Sequence, residues 1–134
     1  MIKIYTDGAS RGNPGPSGAG IHIITEDEVL RYIVPLEDMT NHEAEFHAVI
    51  FALEICTEKF QGEILSVRTD AQVVLDSFEK EYTANKSFKP LLEKVLKLKE
   101  NFPFVFMKWI PERDNIHADE LAKDAIDANT VKIK

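Results

Sequence analysis

The stretch IKIYTDGASRGNPG, residues 2–15, leads from an alternating strand directly into an acidic, glycine-rich turn. Ile2 and Ile4 follow the two-residue period of a strand and share one face, which places Asp7 on the opposite face near the strand end. The glycines permit a close approach of backbone and ligand, and Pro14 favours a tight turn. A simple hairpin turn after Asp7 explains this stretch equally well, so the rest of the chain must decide.

Length and composition predict one domain spanning residues 1–134, with the last few residues flexible. Of the 134 residues, 44% are hydrophobic and 29% charged, which is typical of a soluble globular protein. There is no signal-peptide pattern and no apolar run long enough to span a membrane. Cys56 is the only cysteine, which excludes an internal disulfide and is compatible with a reducing compartment. We therefore expect a cytoplasmic protein with no membrane partner.

The formal net charge of -7 makes a nucleic-acid partner unexpected, because affinity for phosphates usually depends on clustered lysine and arginine. The charge does not exclude such a partner, since acids that hold divalent cations present local positive charge inside an acidic protein. Lysines do recur in a helical pattern at 86–101, but Glu93 and Glu100 interrupt them. A solvated helix face explains these lysines at least as well as a nucleic-acid contact.

Residues 18–25 and 29–34 are rich in β-branched side chains and flank an acidic turn, which predicts a β-hairpin after the glycine-rich loop. A dinucleotide-binding fingerprint would require a helix there to receive the pyrophosphate, so the pattern disfavours that function.

The next segment predicts an amphipathic helix from about residue 40 to about residue 59. Thr40 and Glu43 have the spacing of a capping box at its start. Glu45 lies on the apolar stripe with Ala48 and Val49, so it is expected to point toward the core or into a cleft. The alternative is a Glu at the helix edge that extends to solvent.

Residues 63–69 predict a strand that ends at Asp70, and helical spacing resumes immediately after it. Asp70 alone is explained by helix capping, but ligands gather at the carboxyl ends of strands in open α/β sheets, where Asp7 also falls. A strand at 102–110 and a helix opened by Asn115 follow. Asp119 lies in the first turn of that helix, and an exposed ion pair with Lys123 is its alternative explanation.

The order of these motifs resembles ribonuclease H type 1 over nearly the entire chain. The matching segments are 6–8 with 12–15, then 40–45, then 69–72, and last 109–111 leading to Asn115 and 118–122. The resemblance implies an α/β fold, the ribonuclease H-like fold. Short turns and helical connections independently predict one mixed sheet of five strands in the order 3-2-1-4-5, flanked by helices.

Carried over to this chain, the metal-binding and catalytic acids of the family fall on Asp7, Glu45, Asp70 and Asp119. The family's contacts to the hybrid fall on Ser10, Gly12, Asn13, Thr40, Asn41, His42 and Gln72. Many members carry a histidine in the loop before the last acid, where this chain has Arg113, so the assisting histidine is absent. Arg113 is a candidate to assist from this loop, and His117, which lies inside the helix pattern, is not assigned that role. His42 replaces a second Asn, and the basic protrusion and N-terminal hybrid-binding domain of some members are missing.

The resemblance implies an endonuclease that cuts the RNA strand of RNA/DNA hybrids and leaves 5′-phosphate ends. Four carboxylates with room for water suit Mg²⁺ or Mn²⁺, and two ions are expected with substrate bound. We expect no organic cofactor and a monomer. Two alternatives stay open: a non-catalytic nucleic-acid-binding module of the same fold, and a related nuclease that acts on another duplex.

Overall fold

A mixed β-sheet with helices on both faces forms the protein, as described by the computed structural model over residues 1–134. The strands are β1 (Ile2–Ser10), β2 (Gly15–Ile24), β3 (Val29–Met39), β4 (Leu65–Thr69), β5 (Val105–Trp109) and β6 (Lys132–Ile133). The helices are α1 (Asn41–Lys59), α2 (Gln72–Lys80), α3 (Lys89–Lys99) and α4 (Ile116–Ile126), with a short 3-10 helix at Glu112–Asp114.

The strand order is β5-β4-β1-β2-β3-β6. Tight turns join β1, β2 and β3 as an antiparallel meander, whereas β4 and β5 run parallel to β1 because helices carry the chain back between them. This confirms the predicted order of the first five strands. The predicted number of strands was wrong, because the two residues of β6 pair antiparallel with β3 at the sheet edge. Both residues of β6 are exposed, and a strand of two residues is too short for alternating burial to predict it from the sequence.

The main core lies between the sheet and α1. Phe46, Val49 and Leu53 on α1 are completely buried, as are Ile4 and Ile21 beneath them. Burying each such side chain contributes about 1.5–3 kcal/mol. The amphipathic helix that the capping box predicts is confirmed, with Thr40 as its N-cap.

Helix α4 covers the opposite face of the sheet over β1, β2 and β3. It comes close enough that a Cβ atom at Gly20 would overlap the carbonyl oxygen of Ala118. The small side chain of glycine therefore sets the distance between α4 and the sheet.

Three elements are shorter than the sequence predicts, and the first is β4, Leu65–Thr69, for which a strand over 63–69 was expected. The helix expected at 86–101 is α3, Lys89–Lys99, and the strand expected at 102–110 is β5, Val105–Trp109. Asn85 holds the residues before α3 in a turn, because its side-chain oxygen accepts from the backbone N–H groups of Ser87 and Phe88. Pro90 then fits the first turn of the helix, where its missing N–H costs nothing. None of the helices is long and apolar enough to cross a membrane.

Candidate active site

Two neighbouring parallel strands place Asp7 and Asp70 at the same edge of the sheet. Tyr5 of β1 is in register with Arg68 of β4, so each aspartate lies two residues beyond a matched pair. Asp7 is buried, and its Oδ1 accepts a hydrogen bond from the backbone N–H of Gly8 at 3.0 Å. The indole Nε1 of Trp109 donates to the backbone oxygen of Asp70 at 3.2 Å. The carboxyl edge of the sheet thus carries two acids, as the strand patterns predict.

Helix α1 brings Glu45 to this edge by crossing β1 at Gly8. A Cβ atom at Gly8 would overlap the backbone of Ala44 and Glu45, so only glycine allows the helix to lie this close. Glu45 is only 8% exposed. The alternative in which Glu45 extends to solvent is therefore wrong.

Asp7, Glu45 and Asp70 offer a set of carboxylate oxygens that all lie within 4.8 Å of one another. Hard oxygen ligands at this spacing suit a small divalent cation such as Mg²⁺ or Mn²⁺. The chemistry of these donors fits the metal site that the resemblance implies.

The electrostatics of Asp7 show how unfavourable its charge is without a cation. Burial, followed by the charges of Asp70, Glu45 and Asp119, raises the pKa of Asp7 to about 9. Crowded carboxylates in a buried site hold a proton that isolated ones would release. Bound cations would remove that penalty.

At Glu45 and Asp70, polar neighbours partly offset the rise in pKa. Burial raises the pKa of Glu45, and a hydrogen bond from His42 opposes the rise. Burial also raises the pKa of Asp70, where the side-chain hydrogen bond from Asn115 opposes it. Each acid is therefore fixed in orientation by a neighbour that favours its charged form.

Asp119 stands beside this group and is not part of the 4.8 Å cluster. Its carboxylate forms an ion pair with Lys123 at 2.9 Å, one helical turn further along α4. The ion pair that we considered as the alternative explanation is thus present. The charge of Asp119 nevertheless helps to raise the pKa of Asp7, so the two side chains are neighbours.

Asn115 is a site residue whose role the sequence did not reveal. It is 1% exposed, and its Nδ2 donates to the backbone oxygen of Thr6 at 2.9 Å and to Oδ2 of Asp70 at 3.5 Å. It thereby ties the start of α4 to β1 and to one acid. Its place in the matching motif was the available signal, but the pattern indicated only a helix start.

The predicted hybrid contacts on α1 surround Glu45. Asn41 donates from Nδ2 to Oε1 of Glu45 at 3.2 Å, and Nδ1 of His42 lies 3.2 Å from Oε2. The Oδ1 of Asn13 accepts from the backbone N–H of Asn41 at 2.9 Å and so fastens the glycine-rich loop to the helix. Thr40 caps the helix. These four residues form one continuous surface beside the acids.

The remaining predicted contacts flank that surface. The Ser10 hydroxyl is already engaged with Ser17 at 2.7 Å and with the Met39 carbonyl oxygen at 3.1 Å, so it supports the loop. Gly12 has a φ of 104°, which favours glycine, and is exposed. Gln72 begins α2, two residues after Asp70, where its Nε2 donates to Asp76.

The two residues considered for the missing loop histidine lie in different surroundings. Arg113 is exposed in the 3-10 helix that precedes α4. His117 stacks on His22 with ring centroids 4.8 Å apart, on the α4 face of the sheet. His117 thus has a packing partner that explains its position without any role at the acids.

Sequence comparisons relate the chain to proteins of known family. A family model described as RNase H matches residues 1–127. The Enterococcus faecalis protein EbsB, to which a hydrolase activity is attributed, is 40% identical over 128 residues, covering 94% of this chain and 94% of that protein. A ribonuclease H of Desulforamulus reducens is 33% identical over 138 residues, covering 90% of this chain and 84% of that enzyme.

Solved structures agree with the sequence comparisons. RNase H1 from the halophilic archaeon Halobacterium salinarum has a TM-score of 0.87 at 29% identity, covering 94% of this chain and 97% of that one. LC11-RNase H1, isolated from compost by a metagenomic approach and solved in complex with an RNA/DNA hybrid, has a TM-score of 0.88 at 33% identity. That match covers 95% of this chain and 97% of the other.

Proposed function

This chain belongs to the ribonuclease H family, and from that premise we propose that it is an endonuclease hydrolysing the RNA strand of RNA/DNA hybrids. The observation that carries the proposal is the convergence of Asp7, Glu45 and Asp70 within 4.8 Å at the carboxyl edge of the sheet. None of these acids has a basic side chain bonded to it that would neutralise its charge, apart from the His42 contact to Glu45. A purely structural role would not require such repulsion.

We propose that Asp7, Glu45, Asp70 and Asp119 hold the cations. Two bound Mg²⁺ or Mn²⁺ ions would supply activation of the attacking water and stabilisation of the leaving oxygen. The protein's own contribution is to fix the acids in place. Asn115 orients Asp70, whereas Asn41 and His42 orient Glu45.

The hybrid is proposed to lie across the glycine-rich loop and the start of α1. Thr40 and Asn13 would seat a phosphate of the DNA strand at the start of α1, where the helix dipole favours anions. Gly12 allows a close approach of the backbone, and Asn41 and Gln72 offer donors and acceptors for 2′-hydroxyls and base edges. Arg113 is proposed to approach the same edge from the loop before α4.

A binding module without catalysis is the second candidate function. Asp119 lies outside the 4.8 Å acid cluster and is ion-paired with Lys123, which favours keeping this candidate. Such a module needs no set of mutually repelling carboxylates, yet Asp7, Glu45 and Asp70 are all present here. We therefore place hydrolysis first.

A cleavage assay on end-labelled RNA/DNA hybrid, RNA duplex and DNA duplex tests the proposal. We expect RNA fragments with 5′-phosphate ends from the hybrid alone, in Mg²⁺ or Mn²⁺ and not in EDTA. Cleavage of RNA duplex at an equal rate would support the related nuclease instead. Binding of hybrid without any cleavage in either metal would support the non-catalytic module.

We propose a cytoplasmic monomer with no organic cofactor. The free Cys56 is buried, and burial raises the pKa of its thiol to about 12, so it is an inert core residue that fits a reducing compartment.

A further inference from the structure

Helix α4 leaves one half of its face of the sheet uncovered, and most side chains there are aromatic or basic: Lys3, Phe104, Phe106 and Lys108 are exposed, whereas Tyr5 and Arg68 are half-buried. Lys3, Ser66 and Phe106 are in register across β1, β4 and β5, and the next row contains Tyr5, Arg68 and Lys108. Tyr5 is also in register with His22, which stacks beneath His117 of α4, so both rows lie on the α4 side. Helix α4 packs on β1, β2 and β3. We call the uncovered surface the open sheet face; it consists of Lys3, Tyr5, Arg68, Phe104, Phe106 and Lys108.

Two phenylalanines on the open sheet face are exposed to solvent. Phe104 is 61% exposed and Phe106 49% exposed. Their rings stack with centroids 5.4 Å apart and planes inclined by only 6°. Phe104 immediately precedes β5 and its carbonyl oxygen still accepts from Leu65, so both rings are carried by the sheet. Parallel rings that remain open to solvent provide a platform on which nucleobases can continue the stack.

Three cations accompany the rings. Lys3 and Lys108 are exposed, and Arg68 lies between them in the sheet. The Arg68 guanidinium donates to the Tyr5 hydroxyl at 2.9 Å and lies 5.2 Å from the centre of the Tyr5 ring, so Tyr5 fixes its position on the sheet. Its Nε–H has no hydrogen-bond partner. Glu79, Glu81 and Glu100 share a cavity with the two rings, so the positive charge is confined to the strands themselves. Cations grouped in this way on a chain of net charge -7 favour a partner with regularly spaced negative charges.

The open sheet face adjoins the acidic site along the same two strands, β1 and β4. Tyr5 precedes Asp7 by two residues on β1, and Arg68 precedes Asp70 by two residues on β4. A strand bound along β4 and β5 would therefore arrive at the edge where the acids converge.

We propose that the open sheet face binds single-stranded nucleic acid, with bases stacked on Phe104 and Phe106 and phosphates paired with Lys3, Arg68 and Lys108. The proposal goes beyond hybrid cleavage, because none of these residues belongs to the acid cluster. A duplex does not fit the same surface, since its bases are already stacked on each other. An acidic peptide would satisfy the cations but would leave the two ring faces unused.

Fluorescence anisotropy with a labelled 15-nucleotide oligothymidine in EDTA and low salt tests this surface without any cleavage. We expect the double variant Phe104→Leu/Phe106→Leu to weaken binding at least tenfold, because leucine keeps apolar area but removes the stacking face. Circular dichroism checks that the variant is folded, which we expect because both phenylalanines are exposed. Unchanged affinity in a folded double variant would overturn the proposal.

A matched pair of charge reversals locates the binding surface. Lys108→Glu is expected to weaken oligothymidine binding about tenfold, whereas Lys97→Glu, the same change on the exposed side of α3, leaves it within twofold. With three phosphate contacts, log K should fall with log salt at a slope of about -2, at roughly -0.7 per contact. A larger effect of Lys97→Glu would place the strand on α3 and contradict the proposal.

Competition with polyglutamate and mapping of amide shifts distinguish a site for nucleic acid from a site for an acidic peptide. Polyglutamate at equal charge is expected to displace oligothymidine poorly, and amide shifts on titration should concentrate on β4 and β5. Equal displacement by polyglutamate, or shifts confined to the acid cluster, would overturn the single-strand site. Since EDTA abolishes any metal-dependent cleavage, failure of the proposed nuclease activity would not affect these results.

Discussion

At the scale of single residues, the decisive quantity is the cost of placing a charge on Asp7. Burial and the neighbouring acids raise its pKa from 3.8 to about 9. The native state therefore holds a proton that the unfolded chain releases near pH 4. Between these two values the unfolded chain binds fewer protons, so stability in the absence of metal falls as the pH rises.

Replacing Asp7 by Asn should remove that dependence. In EDTA we expect the free energy of unfolding of the wild type to decrease from pH 4 to pH 9 by on the order of a few kcal/mol. Asp7→Asn should show a much flatter profile and be more stable than wild type at pH 8. Urea denaturation at several pH values measures both. The exposed Asp124→Asn is the control and should follow the wild type; identical slopes for Asp7→Asn and wild type would refute the account of Asp7.

Asn115 is expected to be a positioning residue for Asp70. Asn115→Ala leaves the buried oxygen of Thr6 without its donor, which should cost about 1–3 kcal/mol of stability. It should also lower kcat more than it raises KM, because Asp70 loses its orienting contact. Denaturation and steady-state cleavage test this, with the exposed Asn129→Ala as control. A variant with wild-type stability and kcat would show that Asn115 orients nothing.

The positions of the acids could be predicted from the sequence because each stands in a local motif, at a strand end or within a helix turn; their metal-binding role stays a prediction. The role of Asn115 could not, since its bond to Thr6 joins residues 109 positions apart. The ion pair of Asp119 with Lys123 was foreseen as an alternative, because its i,i+4 spacing is also local. Contacts between distant elements, unlike those within one element, are not encoded by any local spacing of residues.

At the scale of elements, the position of α1 over β1 determines where Glu45 stands. The capping box could be predicted from the sequence, and with it the start of the helix. The height of α1 above the sheet could not, because it depends on the missing side chain of Gly8 beneath Ala44. Strand β6 was missed for a related reason, as its pairing partner β3 lies about a hundred residues earlier.

Gly8→Ala should therefore displace α1 and separate Glu45 from the other acids. We expect a loss of stability of about 1–3 kcal/mol from overpacking, together with a large loss of cleavage. Gly62→Ala is the control, since nothing lies within 4 Å of a Cβ atom there and only the backbone strain at a φ of 80° remains. Thermal unfolding and cleavage rates test the pair. Native stability and activity in Gly8→Ala would mean that the close approach is unnecessary.

At the scale of the whole molecule, the charge distribution limits how tightly a duplex can bind. The net charge is -7, and the exposed lysines of α3 are interleaved with Glu93 and Glu100. Few phosphates of a blunt hybrid can be neutralised beside the acids. Recognition must then rest on the fit of the loop and the start of α1 to the groove.

We accordingly expect weak binding of a blunt hybrid and a shallow response to salt. KM should be micromolar or higher, and log K should depend on log salt with a slope weaker than about -4, given roughly -0.9 per phosphate contact. Cleavage kinetics at several salt concentrations measure both quantities. Nanomolar KM with a steep slope would point to a duplex-binding basic surface, assembled most readily from Lys86, Lys89 and Lys97.

We propose that Asp7, Glu45 and Asp70 form the hydrolytic site, and single-turnover cleavage of a labelled hybrid by Asp70→Asn is the sharpest test of this assignment. The substitution keeps the shape of the side chain and an oxygen for the Asn115 hydrogen bond, but removes the charge. With Mg²⁺ and excess enzyme, we expect a rate at least about a thousandfold below wild type, equivalent to roughly 4 kcal/mol, from a folded protein that still binds hybrid. A rate near that of the wild type would contradict it.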